Sequence, residues 1–482
     1  MKFAPSAGLV KRALASHAWV GLLAGAIMYV VCLSGTIAVL YPWLERWEQP
    51  AADEFTEVTP EIVQRVFARE IDESLAVTDH LYVSLPTPRL PRLALSNEET
   101  GFFVNQDGSL GEEVRHAWTH LLVELHLYLH LPNRIGIVVV STLGVLLCAL
   151  VISGLLAHPN ILRDAFSLRL RGSRQLEQVD LHNRLSVWGL PFHLMIGITG
   201  AYFGLVLPML ALVSARTGTP AASLSASVFG EEPEIETRVE TPNVGRAISQ
   251  VQAMAPESHP FTVIVHEATT DTPLVDVYAT WPGRLTWGEQ YRFDGAGNFI
   301  GTTGFADGEV GKQAVYSIYR LHFGHFGGWP VQAIYLLLGL ALTVVAATGV
   351  NIWLEKRRRH DWINDAWVGV VWGMPLGLTV SAFTQVILGI GSVAIFWLVM
   401  LAAIVAALSL RDVAVSHRWL QRVWSIALAM LLGGHALRFG IDAVSPAAVV
   451  VNGVLATTLL VLIGHQVTGI QRVPDAETGR SV

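Results

Sequence analysis

LLVELHLYLHLPNRIGIVVVSTLGVLLCALVISGLLAH, residues 121–158, holds two histidines one helical turn apart, then an uncharged run from Ile135 to Ala157, then His158. At 1.5 Å per residue a helix needs roughly 20 apolar residues to cross about 30 Å of hydrocarbon, so Ile135–Ala157 reads as a membrane span. The 28 residues from His130 to His158 cover about 42 Å as helix, enough to cross the headgroups too. Imidazoles therefore sit at both faces of the membrane on one helix.

The rest of the chain agrees. Of 482 residues 52% are apolar and 15% charged, and the mean hydropathy is +0.46, which marks an integral membrane protein. Eight stretches read as spans: Ala18–Leu40, Ile135–Ala157, Val187–Val213, Trp329–Leu354, Ala366–Ile390, Ser392–Leu410, Val423–Gly440 and Pro446–Gly464. The seventh is the weakest, being short and carrying His435 and Arg438. The first is longer than a signal-peptide core and no small-residue cleavage site follows, so it is expected to remain as a helix.

Basic residues crowd alternate loops: Arg163, Arg169, Arg171, Arg174 and Arg184, then Lys356 to Arg359, then Arg411, Arg418 and Arg422. These loops are cytoplasmic by the positive-inside rule, as are both termini. The segments Glu45–Arg134 and Ala211–His322 then lie outside, with 16 acidic against 7 basic residues and 13 against 7. An anionic outer face disfavours nucleic acid as a partner. Cys32 and Cys148 both fall inside spans and give the outer segments no disulfide or thiolate framework.

The two outer segments read as copies of one design. EIVQRVFARE (61–70) and PNVGRAISQVQAM (242–254) have helical periodicity, whereas GFFVNQDGSLGEE (101–113) and YRFDGAGNFIGTT (291–303) alternate around Asp-Gly turns like antiparallel strands. The expected fold class is an all-α polytopic bundle of about eight spans with two small α+β outer domains. The expected divisions are 1–44 (first span), 45–134 (first outer domain), 135–210 (second and third spans), 211–328 (second outer domain), 329–360 (fourth span) and 361–482 (an appended four-helix module).

Histidine placement carries the chemistry. His80, His259 and His266 lie in the outer domains without partner spacing, whereas His17, His158 and His182 gather at the inner face and His120, His126, His130, His322 and His325 at the outer face. His193 lies within a span, 11 residues after His182, so the two project the same way from a helix. An ionisable residue within a span is costly and functional by default. Zinc would favour closely grouped ligands with Cys or acidic residues, and HLYLH has Leu127 where a zinc protease carries its glutamate. A proton relay would show buried Asp or Glu, and the first four spans have none. Haem b needs two axial imidazoles from facing helices and an apolar slot, which fits best. Glycines at 21, 25, 35, 197, 200 and 204 leave room along the first and third helices.

LHLYLHLP (125–132), the run SGLLAHPNILRDAFSLRLRGSRQLEQVDLHNRLSVWGLPFHLMIGITGAYFGL (153–205) and LHFGHFGGWPVQAIYLLLGLALTVVAATGVNIWLEKRR (321–358) together resemble the PepSY-associated transmembrane family over roughly residues 10 to 360. The outer repeats resemble its PepSY domains; the last four helices depart from the minimal pattern. That family includes iron-regulated inner-membrane proteins and dihaem ferric siderophore reductases. The resemblance implies a multi-pass protein of the bacterial inner membrane that holds two haems, with iron ligands at His17, His126, His182 and His322. Equal depth pairs His17 with His182 and His126 with His322, leaving His130, His158, His193 and His325 as reserves. The implied function is electron transfer, from quinol or a cytoplasmic reductant, to a ferric siderophore or other periplasmic acceptor. A haem-free PepSY-type binding or regulatory membrane protein is the alternative.

The arginine distribution predicts that cysteines placed at Ser96 and Ser173 differ in whole cells. An impermeant thiol reagent should label position 96 and spare 173; labelling of 173 alone would invert the topology.

Overall fold

The structure is a computed structural model that describes residues 6–73, 75–158, 174–231, 233–391 and 393–470. Arg163, Arg169 and Arg171, which carry part of the charge argument, lie outside the described residues. Fifteen α-helices are described: α1 (Ala7–Ala38), α2 (Tyr41–Glu48), α3 (Pro60–Glu73), α4 (Ala117–Tyr128), α5 (Asn133–Ala157), α6 (Arg174–Trp188), α7 (Leu190–Thr217), α8 (Ala221–Phe229), α9 (Val244–Met254), α10 (Val310–Phe323), α11 (Gly328–Lys356), α12 (Trp362–Ala382), α13 (Val393–Leu410), α14 (Val413–Phe439) and α15 (Pro446–Ile470).

Eight of the described helices are long and apolar enough to cross a membrane: α1, α5, α7, α11, α12 with the π-helical turn Phe383–Ile387, α13, α14 and α15. Helix caps explain where the boundaries differ from the hydropathy reading. Ser6 accepts from Leu9 N–H and starts α1 before Lys11 and Arg12. Asp412 accepts from Val415 N–H and starts α14 ten residues before the apolar run at Val423. The weak seventh span is thereby a full-length helix, and its histidine is used inward: His435 is fully buried, with its ring stacked 4.8 Å from that of Trp47.

Helices α7, α5, α1, α11 and α6 pack in that order around one bundle. Small residues set the closest approaches, as expected where lipid removes the hydrophobic drive between helices. A Cβ built on Gly144 of α5 would lie 2.6 Å from Gly197 O on α7. The last four helices share an apolar core with this bundle. Met374, Leu378, Phe396 and Val451 pack in one cluster with Tyr29, Leu122 and Val350.

Outside the bundle lies one eight-stranded antiparallel sheet in the order β4-β3-β2-β1-β5-β6-β7-β8. The strands are β1 (Leu81–Ser84), β2 (Ala94–Ser96), β3 (Gly101–Val104), β4 (Leu110–Glu113), β5 (His259–His266), β6 (Leu274–Thr280), β7 (Glu289–Asp294) and β8 (Phe299–Thr302). Each outer segment supplies four strands and a helix, but the two are not separate domains. β1 pairs with β5, with Leu81 opposite Val265 and Ser84 opposite Thr262. α3 packs on α9, and Val63, Phe67, Val83, Ile248, Val263 and Val277 fill one core. The two α+β halves are thus joined through one sheet and one core: each half alone would expose a sheet edge and an apolar helix face.

The α5–α7 contact yields a stability prediction. Gly144→Val should destabilise by about 1–3 kcal/mol through overpacking, read as a lowered thermal midpoint, whereas Gly453→Ala, which meets nothing within 4 Å, should not lower it and should raise it slightly through helix propensity.

Candidate functional site

The structure brings four of the sequence-selected histidines together as two pairs. His17 of α1 and His182 of α6 have ring centroids 6.3 Å apart and planes at 87°. His126 of α4 and His322 of α10 have centroids 6.1 Å apart and planes at 28°. The pairs lie at opposite ends of the bundle. His126 meets α1 at Val31, 14 residues from His17, a rise of about 21 Å. The His126–His322 pair is on the sheet side.

Each ring is held in the same way, against a Ser-Gly or Thr-Gly step on another helix. His17 Nδ1 donates to Leu150 O at 3.0 Å, with Ser153 Oγ at 3.2 Å. His182 Nδ1 donates to Val345 O at 3.0 Å, with Thr348 Oγ1 at 3.1 Å. His126 Nδ1 donates to Val31 O at 2.9 Å, beside Ser34, whose hydroxyl bonds the same carbonyl at 3.2 Å. His322 Nδ1 lies 2.8 Å from Thr199 Oγ1, which itself donates to Met195 O at 2.7 Å and so accepts from the ring. A carbonyl can only accept, so in His17, His126 and His182 the proton sits on Nδ1 and the Nε2 lone pair is presented.

The glycine of each step makes room for the ring. A Cβ on Gly35 would lie 2.6 Å from His126 Nδ1, and on Gly154, Gly200 and Gly349 it would lie 3.2, 3.2 and 3.4 Å from Cε1 of His17, His322 and His182. The sequence reading noted Gly35 and Gly200 as space-makers and missed the other two. The signal was present in the letters: Ser153-Gly154 and Thr348-Gly349 repeat the pattern of Ser34-Gly35 and Thr199-Gly200.

Two imidazoles bound at about 2 Å to opposite faces of one metal have ring centres about 6 Å apart, once the distance from nitrogen to ring centre is added. Both pairs match that spacing. Among the described residues no group of three or more His, Cys, Asp or Glu converges on a metal position, and each pair offers two imidazoles. Between His126 and His322 runs an apolar slot lined by Met28, Leu143, Leu147, Phe203 and Leu342.

The reserve histidines are placed differently. His130 uses both nitrogens, Nε2 on Leu121 O at 2.9 Å and Nδ1 accepting from Trp397 Nε1 at 2.9 Å. α4 ends at Tyr128, and the left-handed φ of 54° and 55° at Leu129 and His130 turn this ring away from the helix face that carries His126. His158 caps the end of α5, its N–H on Gly154 O. His193 is buried with Nε2 unbonded, and its ring neighbour is Phe192. His325 sits between Tyr41, Tyr319 and Phe323 with Nε2 buried and unbonded. Burial, then the Arg89 and Arg320 charges, push its pKa down to about 3.

The anchoring of α4 predicts a spectroscopic result. Nitrogen NMR of histidine-labelled protein should show His17, His126 and His182 in the Nδ1-protonated form, and Gly35→Ala should shift the His126 signals alone. An Nε2-protonated His126 would contradict the geometry.

The pattern described as the PepSY-associated TM region matches residues 14–356. An uncharacterized protein of Pseudomonas aeruginosa is 27% identical over 255 residues, which cover 49% of this chain and 63% of that protein. The chain therefore matches less than two thirds of that relative's length. The family match runs from before His17 to beyond Gly349 and takes in all four histidines and all four Ser/Thr-Gly steps; the chain belongs to the PepSY-associated transmembrane family.

Proposed function

We propose that the protein carries electrons across the bacterial inner membrane through two bis-histidine b haems and delivers them, on the sheet side, to a ferric siderophore or similar ferric chelate. The carrying observation is the repeated pair: two imidazoles about 6 Å apart, each bonded through Nδ1 to another helix, at opposite ends of one bundle. Haem iron, when bound, supplies one-electron chemistry.

The chain's own contribution is ligation, orientation and insulation. His17 with His182 and His126 with His322 would be the axial ligands. The carbonyl and hydroxyl partners fix each ring's tautomer and rotation, which tunes ligand basicity. Arg89 and Arg320 beside His325 offer positive charge and a hydrogen-bonding ring for haem carboxylates near the sheet side. The apolar slot excludes water, while a charged ferric chelate cannot enter the hydrocarbon core and must react at the surface. Reduction to ferrous iron weakens a hard-oxygen chelate and releases the metal outside.

Haem counting and vesicle assays test this reading. Purified protein should carry two haems; His126→Ala or His322→Ala should leave one, and His80→Ala should leave two. Dithionite-reduced protein in vesicles should be reoxidised by a ferric siderophore on the sheet side, with ferrous iron appearing there. Two haems with no reoxidation by any ferric chelate would remove the iron substrate, and colourless protein would leave a haem-free binding role.

A further inference from the structure

A cleft of about 650 Å³ opens at the end of the bundle opposite the sheet, between α6 and α11 on one side and α12 and α14 of the appended helices on the other. That volume is within the range of about 300–1,000 Å³ typical of small-molecule sites. Its floor is apolar, with Ala347, Leu354, Val368 and Val371, and the indoles of Trp367 and Trp372 stand on its wall. Trp372 is fixed by donating to His417 Nδ1 at 2.9 Å. His360 lines the cleft with Nε2 2.9 Å from Oδ1 of Asp365, a buried carboxylate. The carboxylate accepts, so in the neutral ring the proton lies on Nε2 and Nδ1 is left as an acceptor. This is the arrangement of an oriented general base.

The cleft is also wired to the His17–His182 pair. Trp367 Nε1 donates to Asn351 Oδ1 at 2.8 Å, and Asn351 Nδ2 donates to Gln178 Oε1 at 3.2 Å. Gln178 precedes His182 by one helical turn, about 6 Å of rise, and Asn351 follows Thr348, the hydroxyl partner of His182, by three residues.

We propose that this cleft binds a membrane quinol and that His360, held by Asp365, takes a proton from it. The proposal rests on the reading of the His17–His182 pair as a haem site. Oxidation of a hydroquinone breaks two O–H bonds, forms two C=O bonds and releases two electrons and two protons. One proton would pass to His360 Nδ1 and the other to water at the mouth, and the two electrons would be taken one at a time by the haem that His17 and His182 would hold. A flat neutral ring suits the indole wall and apolar floor. Glu355 and Asp412 also line the cleft together with Arg358, Arg359 and Arg411, so a phospholipid headgroup is the occupant the test must separate from a quinol.

The test begins with haem-free protein in nanodiscs, titrated calorimetrically with decyl-ubiquinone, and with photolabelling by an azidoquinone. Saturable one-to-one binding is expected, with label mapping to residues 347–372 or 411–417. Trp372→Leu should weaken binding tenfold or more. In haem-loaded protein, His360→Ala and His360→Gln should slow haem reduction by decyl-ubiquinol at least tenfold, leaving dithionite reduction and the visible spectrum unchanged. Absence of saturable binding by both benzoquinone and naphthoquinone analogues overturns the proposal. So does label displaced by phosphatidylglycerol and confined to the arginines of the mouth, the result for a lipid site. Quinone binding by a protein that takes up no haem would instead remove the haem reading and leave the binding site standing.

Discussion

Everything in this molecule depends on four imidazole rings being laid directly on helix backbones. A ring can reach a carbonyl inside a helix only where that helix has no side chain in the way, and the Ser/Thr-Gly step provides this: glycine opens the surface, and the hydroxyl one residue earlier shares the exposed carbonyl or bonds the ring itself. Glycine in a helix interior costs about 1 kcal/mol relative to alanine, and the chain accepts that cost at all four positions. The return is a set of imidazoles whose rotation is fixed by the helix each one lies against, the preorganisation that the proposed haem ligation would need.

Keeping the rings in register across about 21 Å requires that the short helices carrying them be clamped. α4, which bears His126, starts on the Glu48 carboxylate, which accepts from Thr119 N–H at 2.6 Å and Trp118 N–H at 3.1 Å. Trp118 Nε1 in turn donates to Leu378 O at 3.0 Å, and Trp47 Nε1 donates to Asn452 Oδ1 at 2.9 Å. The appended helices are thus part of the clamp as well as a wall of the far cleft. On the other half, Tyr335 bonds Leu321 O, holding α10 and His322 to α11. The continuous sheet ties the two halves together above the bundle.

Much of this was legible in the sequence, for identifiable reasons. A membrane span is a long-range average over twenty residues, so eight spans could be read from hydropathy even where a cap such as Asp412 moved the start. Strand pairs around Asp-Gly turns are local and were equally readable. The β1–β5 pairing was not, because it joins Leu81 to Val265 across a span pair and no local pattern records it. His126 and His130 are equivalent by spacing. Only the left-handed turn at Leu129 and His130 and the Trp397 contact separate them. The Ser/Thr-Gly steps were visible as letters but had no meaning until a ring was seen against each glycine.

If the two pairs hold haem as proposed, they would do so in two different ligand geometries. An axial imidazole donates π density perpendicular to its plane, so near-parallel planes split the iron d-orbital pair, whereas perpendicular planes leave it nearly degenerate. With planes at 28° for His126–His322 and 87° for His17–His182, low-temperature electron paramagnetic resonance of the oxidised protein should show two low-spin ferric signals of equal spin. One should be rhombic and lost in His126→Ala, the other strongly anisotropic and lost in His17→Ala. A single signal, a high-spin centre in the unaltered protein, or one substitution removing both signals would contradict the account.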